Sequence, residues 1–384
     1  MSSSQTYSPF RSVLLREWRR MTSRRLYFGV CIILPLFTLF FMATIFGNGQ
    51  MENIPIGIVD QDNTASSRAI ARNISAVPTF KVTRHFVNEE AARKAVQKKE
   101  IYGYLSIPPK FEQDAISGKN ATLSYYYHYA LLSVGGELMA AFETSLAPVS
   151  LSPIVMQAVA LGVEQDKITT FLLPVQASNH PIYNPSLDYS VYLSQPFFFV
   201  LFQVLILLIT VYAVGIEIKF RTADEWLFVA KGNMVTAVLG KLLPYTIIFI
   251  LIGWLANYVM FGILHIPFQG SWLLMNMLTA LFVVATQALG LFLFSLFPAI
   301  SLIISIVSMV GSLGATLSGV TFPVTNMYPL VRDASYLFPV RHFTEMMQNM
   351  LYGGSGFIYL WPSVVILCIL SLIHISEPTR LGMI

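Results

Sequence analysis

Apolar residues recur along this chain in two rhythms. In residues 8–25, Phe10, Val13, Leu14, Trp18 and Met21 fall at helical spacing, with Arg16, Arg19 and Arg20 on the opposite face and Arg11, Arg24 and Arg25 around them. That pattern predicts an amphipathic elbow helix lying in a membrane surface with its arginines toward head groups. Residues 26–46 then form an apolar run of spanning length, softly broken at Pro35. Beyond residue 47 the rhythm changes to short alternating segments: strands over 54–60, 80–86, 101–107 and 121–129, and helices over 64–77, 88–99 and 109–117. The pattern is helical again over 131–173, interrupted near Pro148 and Pro153, and suits a stalk; 175–183 suits a returning strand. Long apolar runs resume at 191–214, 242–264, 272–297, 299–319 and 357–375.

Counting from residue 26 gives a polytopic α-helical membrane protein of six transmembrane helices. An extracytoplasmic α/β domain with a helical stalk occupies 47–190, between the first two spans. Composition fits: 55% of residues are hydrophobic and 11% charged, with a mean hydropathy of +0.63, outside the range of a soluble domain. Of the 44 Asp, Glu, Lys and Arg residues, 24 lie in 47–190, so that stretch is expected to fold in water. Six arginines precede the first span, and Lys219, Arg221, Lys231 and Lys241 follow the second. The positive-inside rule places both groups, and both termini, in the cytoplasm. Cys31 and Cys368 fall in apolar runs and imply no disulfide framework.

Between the second and third spans lies a polar island, 215–241. Within it Thr222-Ala-Asp224-Glu225 precedes Trp226-Leu-Phe-Val, a capping-box pattern opening a short helix with an exposed tryptophan. Such a helix is a docking handle or an interfacial lipid anchor. Residues 320–356 carry Pro323, Pro329, Pro339 and Arg341 and predict an outer re-entrant helical segment, the outer gate of a pathway. In the fifth span Ser301, Ser305, Ser308, Ser312, Ala315 and Gly319 recur at steps of four and three, one small-residue face suited to subunit packing or to lining a pathway. The tail 376–384 loses apolar character abruptly and is read as non-native, without function.

Catalytic chemistry finds no support. Gly240-Lys241 has neither the upstream glycine nor the following Ser or Thr of a phosphate-binding loop. His85, His128 and His180 lack metal-ligand spacing, and Asp60-Gln-Asp62-Asn63 is too short for a calcium loop. Tyr125-Tyr-Tyr-His-Tyr129 suits stacking on an aromatic ligand or the exposed face of a strand equally well. The predicted spans hold almost no charge, hence no buried carboxylate or lysine to couple an ion gradient.

Several separate stretches together resemble the ABC-2 type permease subunits of bacterial ABC exporters, in the branch with a large external domain after the first span. They are the arginine-rich elbow, Ile54-Pro-Ile-Gly-Ile-Val-Asp60-Gln-Asp62-Asn-Thr-Ala-Ser-Ser-Arg68, Tyr183-Asn184-Pro185, and Glu217 with Thr222-Ala-Asp-Glu-Trp226-Leu. Leu239-Gly240-Lys241-Leu-Leu-Pro244, Leu317-Ser-Gly319 through Pro323, Met327-Tyr-Pro329 and Phe338-Pro339-Val-Arg341 complete the set. The chain departs from the family in one place, carrying Arg221-Thr222 where Gly-Thr is common.

The resemblance implies a non-catalytic permease in the bacterial inner membrane. A separate cytoplasmic ABC ATPase would bind ATP and Mg, and this chain would bind no cofactor and no nucleic acid. The island would be the coupling helix, with Glu217, Arg221, Thr222, Glu225, Trp226, Gly240 and Lys241 at the ATPase contact. A second permease, identical or paralogous, would complete a pathway for an amphipathic, drug-like or lipid-like substrate. A periplasmic adaptor and outer-membrane channel are further partners the resemblance allows. The rival reading is a receptor whose external α/β domain binds a ligand. A membrane enzyme would have only Arg332, Asp333, Arg341, His342 and Glu345 to work with.

Overall fold

The computed structural model describes residues 8–23, 25–45, 49, 51–117, 119, 121–160, 184, 188–353 and 356–381. The chain divides into two compact units, Met1–Gly49 with Pro181–Ile384, and Gln50–His180. The first unit opens with α1 (Pro9–Ser23), α2 (Arg25–Phe28), a π-helical turn (Gly29–Ile33) and α3 (Leu34–Ile45). The second unit contains β1 (Ile54–Asp60), α4 (Ala65–Ser75), β2 (Phe80–Phe86), α5 (Glu89–Gln97), β3 (Gly103–Ile107), α6 (Phe111–Ile116), β4 (Ser124–Tyr127) and α7 (Leu132–Ala160). The first unit resumes with a π turn (Ser190–Ser194), α8 (Gln195–Lys219), α9 (Ala223–Val229), α10 (Met234–Asn257) and a second π turn (Tyr258–Ile263). It ends with α11 (Trp272–Leu296), α12 (Ile300–Leu317), a 3₁₀ turn (Val324–Asn326), α13 (Pro329–Ser335), α14 (Pro339–Gly353) and α15 (Phe357–Leu381).

The second unit is a three-layer α/β fold. Its sheet runs β2-β1-β3-β4, with β1 parallel to both neighbours and β4 antiparallel to β3. Side chains alternate between two cores, as strand pleating requires. Ile54, Ile56, Leu105 and Ile107 meet Ile70, Ile74, Phe111, Leu138 and Phe142 from α4, α6 and α7, while Val59 and Tyr104 meet Ala92 and Ala95 from α5. The β1–β2 register slips between Ile56 and Gly57, where the Phe86 ring lies so close that a Cβ on Gly57 would come within 2.5 Å of it. Thr64 caps α4 through a reciprocal box with Ser67, and Asn88 caps α5. The helix α7 runs unbroken through Pro148 and Pro153, where an interruption was expected, and its first half is a layer of this fold. The strand expected at 175–183 lies outside the described residues.

In the first unit, four helices among the described residues are long and apolar enough to cross a membrane: Ser190–Lys219, Met234–Ile263, Trp272–Leu296 and Ile300–Leu317. The stretches Gly29–Ile45 and Phe357–Leu372 are apolar but shorter. Two boundaries differ from expectation. The helix α8 continues to Lys219 and α10 begins at Met234, so the island shrinks to residues 220–222 and 230–233 on either side of α9.

Helix α8 is the hub, packing against α11 and α12, while α11 packs on α15 and α1 on α10. Phe198, Phe199, Phe202, Phe249, Phe282 and Phe343 interlock there, six of their ring pairs meeting edge-on or tilted at 4.5 to 6.2 Å. The backbones of α8 and α12 close up because Gly311 and Gly314 face α8: a Cβ would lie 2.7 Å from Val204 and 2.6 Å from Gln203. Buried amides fix the helix register. Gln195 donates to Asn257 at 3.0 Å, and the Asn257 amide donates to Asn276 and Thr279, each at 3.0 Å. In an apolar surround this network discriminates against slippage more than it adds net stability.

Asn257→Ala removes the centre of this network. It is expected to lower the stability of the detergent-purified protein by about 1 kcal/mol, read as a lower apparent melting temperature than that of an exposed control, Lys98→Ala.

Candidate functional site

At the C-terminal end of α8 a carboxylate is buried in an apolar bundle. Glu217 is fully buried, and three cations from two other helices converge on it. Arg16 donates to both carboxylate oxygens at 2.8 and 3.1 Å, Arg20 pairs with the same group, and Lys241 Nζ donates at 2.7 Å. Lys241, fully buried in α10, also donates to Glu17 at 2.7 Å, and the Tyr245 hydroxyl donates to Glu17 at 2.8 Å. Three cations and two carboxylates leave a net charge of +1. Burial works against the charge on Arg20, and its hydrogen bond and proximity to Glu217 override that, holding the guanidinium above its ordinary pKa.

This cluster corrects two expectations. The first is that Glu217 and Lys241 stand in a polar loop between spans: both lie buried inside the long apolar helices, because the cluster of opposite charges compensates each of them. The second concerns the elbow. Arg16 and Arg20 turn inward to Glu217, and the inward face of α1 is Val13, Glu17 and Met21, at helical steps of four. Trp18 and Phe10 are exposed instead.

Helix α9 sits on this cluster. Thr222 precedes it, but its hydroxyl caps nothing and donates to the Glu217 carboxylate. The capping box read from Thr222 and Glu225 is therefore absent, because the buried carboxylate five residues upstream is the stronger acceptor. Trp226 is fully buried, not exposed. Its Nε1 donates to the Ala237 carbonyl at 3.2 Å and its ring lies 5.3 Å from Lys241 Nζ, a cation–π contact in a desolvated setting. Gly240 allows α1 to approach α10, since a Cβ there would lie 3.0 Å from that of Val13. Of the residues expected at the ATPase contact, Glu217, Trp226, Gly240 and Lys241 thus lie beneath the surface, Thr222 is half-buried, and Arg221 and Glu225 are exposed. Phe228, missed in the sequence reading, is 84% exposed at the tip of α9, and Phe220 is also exposed. The signal for Phe228 was available: two residues after a buried Trp, a helical side chain points away from the core.

Arg221 adopts φ 54°, a left-handed conformation that costs most side chains about 1 kcal/mol and glycine nothing. That is the physical reason a glycine suits this turn and why this chain's departure from Gly-Thr carries a strain.

At the other polar region, Pro323 opens the 3₁₀ turn, Pro329 starts α13 and Pro339 starts α14. Arg341 is nearly buried, donating to Ser335 and Glu345 at 3.0 Å each, 4.9 Å above the Tyr336 ring. It borders a cavity of about 400 Å³ with Tyr192, Gly319, Val324, Glu345 and Gln348. On α12 the expected small face is open: Ser301, Ser305, Ser308 and Ser312 are exposed, Ala315 is half-buried, and Gly319 lies beyond the helix at φ 85°. The face that packs within the chain is Ile303, Val307, Gly311 and Gly314.

A bundle of bilayer-length apolar helices, locked at one end by buried charge and carrying an α/β unit after its first apolar helix, defines a polytopic membrane protein. The chain belongs to the ABC-2 family transporter proteins, whose family model matches residues 25–375. It is 21% identical over 337 residues to the inner membrane transport permease YhhJ of Escherichia coli K12, covering 83% of this chain and 82% of that protein. It is 22% identical over 352 residues to the probable multidrug ABC transporter permease YbhS of the same strain, covering 90% and 89%. Membership in this family implies association with an ABC ATPase and with a membrane.

Two outcomes test the site. Lys241→Met alone strands Glu17 and should cost about 3 kcal/mol, whereas Glu17→Gln with Lys241→Met keeps the net charge at +1 and should recover most of that loss in apparent melting temperature. Arg221→Gly is expected to hold or raise the melting temperature, since the relief of about 1 kcal/mol offsets the entropy glycine adds to the unfolded chain.

Proposed function

We propose that this chain is the permease subunit of an ATP-driven ABC exporter, and that α9 is the coupling helix that meets a separate cytoplasmic ATPase. One observation carries the reading. A seven-residue helix between two bilayer-length helices is fixed from beneath by Trp226 and by the Glu217–Lys241 cluster, yet presents an exposed apolar and acidic tip in Phe228, Asp224 and Glu225. A lipid anchor needs its aromatic ring in the interface and no rigid base. A lever needs a stiff base and a tip that fits a socket. Arg221 joins the contact surface, while Glu217, Thr222, Trp226, Gly240 and Lys241 hold it in position.

The arrangement in the membrane follows from the same reading. Six spans, counted with the shorter apolar helices 29–45 and 357–372, place both termini in the cytoplasm of a bacterial inner membrane and residues 47–190 outside. The open serine face of α12 suits a second permease, with the pathway between the two copies and the cavity at Arg341 near its outer end. The substrate fitting such weakly charged walls is amphipathic, drug-like or lipid-like. The relative named as a probable multidrug ABC transporter permease supports that class.

Co-purification of the full chain with its cognate ABC ATPase tests the coupling role. Phe228→Ala with Glu225→Arg should weaken ATPase binding about thirtyfold at unchanged melting temperature, since hot-spot truncation at an interface typically costs about 2 kcal/mol. Trp226→Ala should instead lower the melting temperature. Undiminished ATPase retention by the Phe228 and Glu225 variant would remove α9 from the docking surface.

A further inference from the structure

The α/β unit contains a cleft the transport reading does not use. It has a volume of about 1190 Å³ and opens at the carboxyl ends of the parallel strands, between Asp60 and Asn63 after β1, His85 to Val87 at the end of β2, and α4. Strand order β2-β1-β3 means that the chain leaves β1 toward one edge and returns to its other side. In open α/β sheets the crevice outside the carboxyl ends, beside such a reversal, is where ligands bind.

The lining states the ligand's chemistry. Arg68 and Arg72 lie one turn apart on α4 and both border the cleft, with His85 across from them. Arg68 spends one N–H on the Asn63 carbonyl at 2.8 Å, which holds its guanidinium at the rim and leaves its remaining donors free for a guest. The nearest carboxylate does not compete. Asp60 accepts from the Asp62 and Asn63 amides at 3.0 Å each and from the Ser67 hydroxyl at 2.7 Å, three of its roughly four acceptor sites, so it is largely spent on shaping the loop. Apolar surface continues the wall in Ala71, Phe86 and Val87, the last 88% exposed.

We propose that this cleft is a binding site for a phosphate monoester or diester group carrying a short apolar portion, gripped by Arg68 and Arg72. Two guanidinium forks one helical turn apart match the several oxygens of a phosphate, whereas one fork satisfies a carboxylate. The phosphate can come from a soluble metabolite or from a phospholipid head group. The site stands on the α/β unit alone and holds whether or not α9 docks an ATPase.

Binding to the purified full-length chain decides the matter, by calorimetry with glycerol 3-phosphate in detergent and, in a second arm, by affinity for nanodiscs or vesicles of phosphatidylglycerol against phosphatidylcholine. Arg72→Gln is the chief variant, because Arg68 also braces its own loop, and Arg84→Gln, a residue paired with Glu100 outside the cleft, is the control. Saturable binding weakened about tenfold or more by Arg72→Gln, with Arg84→Gln like wild type, supports the site; response to glycerol 3-phosphate identifies a soluble ligand, and response only to phosphatidylglycerol identifies a head group. Absence of saturable binding in both arms, or equal affinity in wild type and Arg72→Gln, overturns it.

Discussion

The first unit is arranged around a charge that has no water to solvate it. A carboxylate at Glu217 would be strongly disfavoured in an apolar bundle by itself, so the chain gathers Arg16, Arg20 and Lys241 about it and satisfies the lysine in turn with Glu17. The attraction in such a buried cluster is largely cancelled by the cost of stripping water from five charged groups. What survives the cancellation is geometry. Only one placement of α1 against α8 and α10 brings all five groups together, and the same placement seats Trp226 and fixes α9. The cluster therefore selects an arrangement of helices more than it deepens the stability of the fold.

That selection has a mechanical meaning. Helix α9 is too short to be stable by its own hydrogen bonds, and its base is supplied by its neighbours: an indole in the core, a threonine hydroxyl on a buried carboxylate, and a glycine that lets α1 press close. Trp226 and Thr222 thereby tie α9 directly to α10 and α8. Near the cavity at Arg341, by contrast, the helices are short and proline-initiated, and Gln203 of α8 reaches across to accept the backbone N–H of Val340 at 3.0 Å. The long helix α8 thus takes part in both polar regions.

Sequence and structure agree best where a single periodicity decides the matter. The four strands of the α/β unit fall within the alternating segments, because a two-residue period over a short stretch leaves little room for another answer. The helix ends were misplaced for a physical reason: Glu217 and Lys241 are polar by type, and hydropathy reads any charge as an exit from the apolar phase. Their compensation depends on Glu17 and the elbow arginines about two hundred residues away, which no local window can weigh. The reading of Trp226 and Thr222 failed in the same way. A Thr-x-x-Glu pattern and an amphipathic heptamer describe a helix start, but not which neighbour takes the hydroxyl or which side the core lies on. On α12 the serine stripe hid a second face of small residues, Gly311 and Gly314, spaced three apart and equally visible in the sequence, and it is this face that meets α8.

The contact between Glu17 and Lys241 joins positions 224 residues apart, and this imposes an order on how the protein is made. When α1 leaves the ribosome only its own Arg20 stands near Glu17, and the cluster stays incomplete until α8, the whole intervening α/β unit and the start of α10 have been synthesised. The cluster is therefore a late closure, complete only once the helices it fastens have all been synthesised. A nascent chain halted before residue 241 would have Glu217 answered by the elbow arginines alone and Glu17 without its lysine. The last charge of the cluster is in this way supplied by α10, the second of the four bilayer-length helices.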